Sequence, residues 1–228
     1  QPASTAVPAA PQGGAAPTWS AGPINFSGAI DAYYGINFNH PASMTNNLYN
    51  FNDKANQFNL SLLKVAMSHD ADRVGFRVDL GYGRTMELVH CCDFDGGFNK
   101  YVEQAYVSWK PKGGKGFQAD FGKFVTSAGA EVIESYSNWN YSRSLAFVLA
   151  IPYYHFGLRT AMPMGSHFTA GFQVVNGWNN LTDNNSGKTI GLTGAATSSK
   201  ANWNINYYYG PENTGTNVGK TYLIDTTI

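Results

Sequence analysis

From residue 24 onward, apolar and polar side chains alternate with a period of two. In Ile24–Phe38 the even positions are Ile24, Phe26, Gly28, Ile30, Ala32, Tyr34, Ile36 and Phe38; the odd ones are Asn25, Ser27, Ala29, Asp31, Tyr33, Gly35 and Asn37. Successive side chains of a strand point to opposite faces, so this order predicts one apolar and one polar face. The run covers fifteen residues. Strands of water-soluble domains usually have about five or six. A strand tilted across a bilayer needs about 9–11, plus overhang.

The pattern recurs in Val74–Tyr82, Phe117–Phe121, Tyr154–Arg159, Phe168–Val174 and Asn202–Tyr209, and more weakly in Ile190–Ala196. Gln57–Ser68 starts with apolar residues on even positions (Phe58, Leu60, Leu62) and then shifts to Val65 and Met67, which predicts a β-bulge. Lys100–Lys110 has apolar residues on both parities, and Lys220–Ile228 completes ten expected strands.

The connections alternate between short (His69–Asp72, Pro111–Lys115, Pro163–His167, Ser198–Lys200) and long (His40–Lys54, Thr85–Asn99, Val125–Ala146, Asn176–Ser186, Gly210–Gly219). Tight turns at one end and large loops at the other are the signature of a transmembrane barrel. The expected fold is therefore all-β, an antiparallel up-and-down transmembrane β-barrel of about ten strands over residues 24–228. The short turns would be periplasmic and the long loops extracellular. Residues 1–23, rich in Pro and Ala, read as a flexible periplasmic tail and as the start of a mature exported chain. The last residues, Asp225–Ile228, fall within an alternating stretch, so the chain reads as an incomplete part of a larger barrel.

Composition narrows the alternatives. No apolar run reaches 18 residues; the longest, Leu145–Ile151, is followed by Pro152, so no helix is expected to cross a membrane. Charge is balanced at 15 basic against 15 acidic residues, which argues against a general binder of nucleic acid or of anionic membranes. Charged residues are 13% of the chain, about half the usual share, and aromatics are 14%. A secreted β-sandwich rich in Tyr and Gly fits that composition equally well; strand length and loop asymmetry favour the barrel. Cys91 and Cys92 are adjacent, so a bond between them would be strained and would close no loop. The run His90-Cys91-Cys92-Asp93 could ligate a metal, but a loop tip without chemistry is the simpler reading, and neither metal nor cofactor is expected.

The stretch Gly122–Arg159 carries a resemblance. Its elements are Gly122-Lys123-Phe124, then Ser142-Arg143-Ser144 before an apolar run and Pro152, then His155, Gly157 and Arg159. Gly75–Gly81 precedes them, and Val175-Asn176-Gly177-Trp178 follows. In this order they resemble the OmpL-like β-barrel porin family over roughly residues 24–228. The resemblance implies a Gram-negative outer-membrane pore and names no solute. Members of that family are typically longer than this chain.

With apolar residues facing lipid, the lumen receives Asp31, Arg77, Asp79, Asp120, His155 and Arg159 as pore-lining candidates. Arg or Lys facing lipid near the midplane would cost about 2–4 kcal/mol. A mixed-sign lumen tunes ion selectivity, and the same charges could simply pair and brace the wall. The third long loop carries Glu131, Glu134 and Arg143 beside Tyr136, Trp139 and Tyr141. Folded inward, it would form a constriction with carboxylates facing a base and aromatics offered to sugars. Of the histidines 40, 69, 90, 155 and 167, only His155 points inward, and no G-x-S-x-G, H-E-x-x-H, P-loop or dinucleotide motif occurs. No catalytic residue is assigned, and the chain is not expected to be an enzyme. The leading expectation is a porin for small hydrophilic solutes. The alternative is a non-conducting barrel that anchors, adheres or binds ligand through its long loops. The expected partners are outer-membrane lipids and the solutes, with a trimer of barrels left open.

Overall fold

The computed structural model describes residues 19–91 and 97–228. Most of the segment read as a tail, and Cys92 and Asp93 of the cysteine run, lie outside the described residues. Eleven strands form one antiparallel sheet in chain order. They are β1 (Trp19–Ala21), β2 (Ile24–Tyr34), β3 (Phe58–His69), β4 (Val74–Tyr82), β5 (Val102–Trp109), β6 (Gln118–Val125), β7 (Tyr154–Met164), β8 (Phe168–Val175), β9 (Thr189–Thr197), β10 (Asn202–Gly210) and β11 (Thr221–Thr227). This is the expected up-and-down order, with a short strand added in front. Trp19 pairs with Phe26 and stacks on its ring at 4.4 Å, so strand pairing includes residues before Ile24.

β2 ends at Tyr34, short of the expected Phe38. Alternation continues through Ile36 and Phe38, but local hydrogen bonds win there. The Gly35 carbonyl accepts from Asn56 N (2.7 Å), and Asn37 N donates to Asn56 Oδ1 (2.9 Å). The bulge expected in β3 is present: Asp31 faces Leu62 and Ala32 faces Leu60, leaving Ser61 as the extra residue. A second one interrupts β5, where Asp79 faces Gln104 and Leu80 faces Val102, leaving Glu103 extra. A bulge turns two consecutive side chains to one side. Accordingly Ser61 and Leu62 are both buried, and so are Glu103 and Gln104.

The two faces of the sheet are inverted relative to a water-soluble domain. Ile30, Phe58, Val65, Phe121, Leu192 and Ile224 are exposed on the outer face. Lys64, Asp79, Gln104, Asp120, Gln173 and Asn206 are buried on the inner face. Large contiguous apolar surface is not left in water, and buried charge requires partners, so lipid outside and polar groups inside satisfy both faces.

The short turns gather at one end. At the other end are five long connections, loops 1–5: residues 35–57, 83–101, 126–153, 176–188 and 211–220. Loop 2 contains α1 (Arg84–Val89) and loop 3 contains α2 (Leu145–Leu149), where the Ser144 hydroxyl accepts from Phe147 N at 3.2 Å. The apolar core is built by these loops rather than between layers. Phe51, Val89, Ala128, Ile133, Phe147, Ile151 and Tyr153 pack on Tyr154 and Tyr208 at the long-loop end.

Loop 3 also reveals how far the sheet curls. Its Ser135 hydroxyl donates to Asp31 Oδ2 on β2 (2.5 Å), and its Gly129 N donates to Asp225 Oδ2 on β11 (2.9 Å). Six residues of chain reach about 20 Å. The inner faces of the first and last long strands therefore lie within roughly that span plus two side chains. Among the described residues no pairing joins β11 to β1 or β2, so a seam separates them.

Candidate solute pathway

The inner face of β3–β5 is a charged wall. Lys64 Nζ lies 3.0 Å from Asp79 Oδ2 and 2.8 Å from Glu103 Oε2, and it also pairs with Glu134 of loop 3. Arg77 grips Asp79 with two nitrogens, Nε to Oδ1 and Nη2 to Oδ2, each at 2.9 Å. Gln104 Nε2 adds a third donor to Asp79 at 2.9 Å. Asp79 is thus fully partnered, whereas Glu103 meets Lys64 as an ion pair only and its Oε1 accepts no hydrogen bond. The cluster holds three carboxylates against one ammonium and one guanidinium. Ions withdrawn from water persist only when paired in this way.

A second polar rung crosses β5, β6 and β7. Asp120 accepts from Ser108 Oγ (2.7 Å), Gln118 Nε2 (2.7 Å) and Arg159 Nε (2.9 Å). The Arg159 guanidinium lies over the rings of Phe124 (4.5 Å) and Tyr106 (4.9 Å), a cation–π arrangement that holds it against the wall. Two glycines of the resemblance motifs shape this region. Gly122 and Gly157 pair directly, with φ of 137° and 157°. A Cβ on Gly122 would meet Tyr106 Cα at 2.8 Å, and one on Gly157 would meet Val175 Cα at 2.8 Å, so only glycine lets these strands come so close.

The inner face of β8–β11 is mostly uncharged. Ser127 Oγ donates to Asn206 Oδ1 (2.8 Å) and sits 2.8 Å from Tyr208 OH. Asn206 Nδ2 donates to the Ser127 carbonyl (3.0 Å) and to Asp225 Oδ2 (3.1 Å). His155 is fully buried, stacked on Tyr208 with centroids 4.9 Å apart, and its Nδ1 lies 3.0 Å from the Gly177 carbonyl.

Loop 3 crosses between the two walls. It joins the charged wall through Glu134–Lys64 and meets β2 through Ser135 and Tyr141, both bonded to Asp31. It reaches the uncharged wall through Ser127 and Gly129. Internal braces hold its shape. Arg143 Nη1 donates to the Tyr141 carbonyl (2.8 Å), Nη2 donates to the Ile133 carbonyl, and the guanidinium lies 4.4 Å from the Phe51 ring centre. Glu131 accepts from Ser144 N (3.0 Å) and from its hydroxyl. Asn138 clasps Val132 through N (2.9 Å) and O (2.8 Å). Burial, reinforced by Asp31, pushes the Tyr141 phenol well above its usual range. Burial and nearby Glu134 push Tyr136 up to about 12.

All six strand candidates lie on the inner face, and four of them form two ion pairs, Arg77–Asp79 and Arg159–Asp120. Asp31 serves as the anchor for loop 3, and His155 packs against the uncharged wall. In the loop, Glu134 points to the wall, whereas Glu131 and Arg143 satisfy the loop's own backbone and do not face each other across a gap. Tyr136 is half-exposed and Trp139 fully exposed. Alternation alone misses Lys64 and Glu103, the centre of the network. Both sit in the two segments whose periodicity is broken, and Glu103 faces inward only because it is the bulge residue. It also misses Lys123, buried 2.6 Å from His90 Nε2 and 4.0 Å from the Tyr154 ring centre. Among the described residues, no group of three or more His, Cys, Asp or Glu side chains could hold a metal ion.

A family model described as "Putative beta-barrel porin-2, OmpL-like" matches residues 23–228. No curated protein and no solved structure matches.

Proposed function

The chain belongs to the OmpL-like β-barrel porin family, and from that premise we propose that it is an outer-membrane porin passing small hydrophilic solutes by passive diffusion. The observation that carries the reading is the inverted sheet, apolar outside and charged inside, with loop 3 laid across its inner face. Family membership supports the outer membrane as the location, with the short turns periplasmic and the long loops outward. A solute entering the interior trades water for fixed polar groups of both signs, which biases ion passage by the local field. Asp31, Arg77, Asp79, Asp120 and Arg159 supply that field along the wall, and Glu134 brings loop 3 onto it at Lys64. The reading involves no cofactor, bond-making step or catalytic residue.

In planar bilayers the complete protein should give stable conductance steps. Neutralising Glu134 should shift ion selectivity, while Glu131→Gln and Arg143→Gln should act on loop order and leave selectivity close to wild type. Inserted protein without conductance would contradict the porin reading. One observation favours a second one: the aromatic core of Phe51, Phe147 and Tyr153 closes off part of the long-loop end. A barrel with a blocked lumen would anchor, adhere or bind ligand through its loops, insert normally and carry no current.

A further inference from the structure

At the short-turn end of the apolar outer face of β7–β10 lies a cavity of about 360 Å³. The register explains the hollow. One row across the strands reads Met164, Phe168, Ala196, Trp203, and the next reads Met162, Ala170, Gly194, Ile205. Ala170 on β8 with Gly194 and Ala196 on β9 form the floor, and Met162, Met164, Phe168, Trp203 and Ile205 form the walls. The following row places Phe172 beside Leu192 and ends the groove toward mid-sheet. With Phe168 closing it over β8, the groove opens at the turn end along β9, over Ala196. The Trp203 indole N–H is satisfied within the protein, donating to Thr226 Oγ1 at 2.7 Å, so its ring offers an apolar wall without an unmet donor.

The rim at the mouth is basic, although the chain as a whole is neutral. Beside the mouth, the β9–β10 turn carries Lys200 and the β5–β6 turn carries Lys110, Lys112 and Lys115, with no Asp or Glu on either. Lys200 and His167 sit on the turns bounding the groove, both exposed. The Lys115–Gly116 turn lies beside Pro163, next to Met164; a Cβ on Gly116 would meet the Pro163 ring at 2.9 Å. A groove that takes a chain of methylenes, ending under cations at headgroup height, fits one class of ligand.

We propose that this groove binds one acyl chain of an anionic glycerophospholipid from the leaflet on the short-turn side, with the headgroup phosphate over Lys200 and His167. This rests on the reading that the outer face lies against lipid. Its volume falls in the range of about 300–1,000 Å³ typical of small-ligand sites. The occupant is a lipid rather than a second copy because the site is a concave slot with a charged mouth, not a flat patch.

The test is native mass spectrometry of the full chain, released from mild detergent after incubation with phosphatidylglycerol or phosphatidylcholine. Wild type should retain one phosphatidylglycerol. Ala170→Phe, which fills the floor from the lipid side, should abolish retention while leaving conductance unchanged. Lys200→Gln should weaken phosphatidylglycerol retention about fivefold and leave phosphatidylcholine unaffected. Equal retention by wild type and Ala170→Phe would overturn the proposal. So would loss of an oligomer in Ala170→Phe, which would make a second copy the occupant. Conductance in the same preparations reports separately on the porin reading.

Discussion

Loop 3 is fastened to two walls of one sheet by different chemistry. Toward β3–β5 the tie is ionic, Glu134 to a lysine that already serves two other carboxylates. Toward β10–β11 it is a set of hydrogen bonds among Ser127, Asn206, Tyr208 and Gly129, with Asp225 held by two N–H donors. Neutral groups taken from water need only their hydrogen bonds, and losing one costs little more than that bond. Ions taken from water need opposite charge beside them, and removing a shared cation strands the carboxylates around it. The charged wall should therefore be the fragile side of the interior.

The most severe break of that contrast is Lys64→Met, which leaves the buried Asp79 and Glu103, with the half-buried Glu134, around an apolar side chain. A loss of about 3–5 kcal/mol is expected in a denaturant titration of the folded barrel. On the opposite wall, Asn206→Leu removes the amide between Ser127 and Asp225 and should cost less, about 1–3 kcal/mol, in the same titration. A cost equal to that of Lys64→Met would erase the distinction between the walls. Glu103→Gln sharpens it from the other side. This residue lowers the carboxylate excess when neutralised and has an oxygen with no hydrogen bond to lose, so stability should change by less than about 1 kcal/mol. The smallest effect belongs to pH. The Tyr141 phenol donates to Asp31, and its folded pKa is raised. A raised group keeps its contribution below its unfolded value, about 10, and loses it as pH climbs through the folded one. Fluorescence of a label on loop 3 should stay flat up to about pH 10 and change only above it.

The wall was largely legible in the residues; the site was legible only in part. Period-two alternation locates most of the ten long strands, not those over Gln57–Ser68 and Lys100–Lys110 where its parity breaks, and puts Asp31, Arg77, Asp79, Asp120, His155 and Arg159 on the inner face, because each pleat turns every second side chain the same way. The same rule overran at Ile36 and Phe38, where asparagine side chains captured the backbone. It also failed to place Lys64 and Glu103, since bulges break the parity it depends on. Trp19–Ala21 carried no signal beyond one aromatic residue before a Gly-Pro turn. The pairing of Arg143 with carbonyls inside its own loop could not be read from spacing either: it depends on how residues 131–144 fold back on themselves.

The central claim is that loop 3 lies inside the sheet and bridges its two walls. Paired cysteines test this most directly, in a background with Cys91 and Cys92 replaced by serine. One variant would carry Asp31→Cys with Ser135→Cys, the other Ser127→Cys with Asn206→Cys. Oxidation in intact membranes should cross-link both pairs, seen as a mobility shift reversed by reductant. Two uncross-linked pairs, with positions 127 and 135 open to a membrane-impermeant maleimide, would place the loop outside and contradict the account.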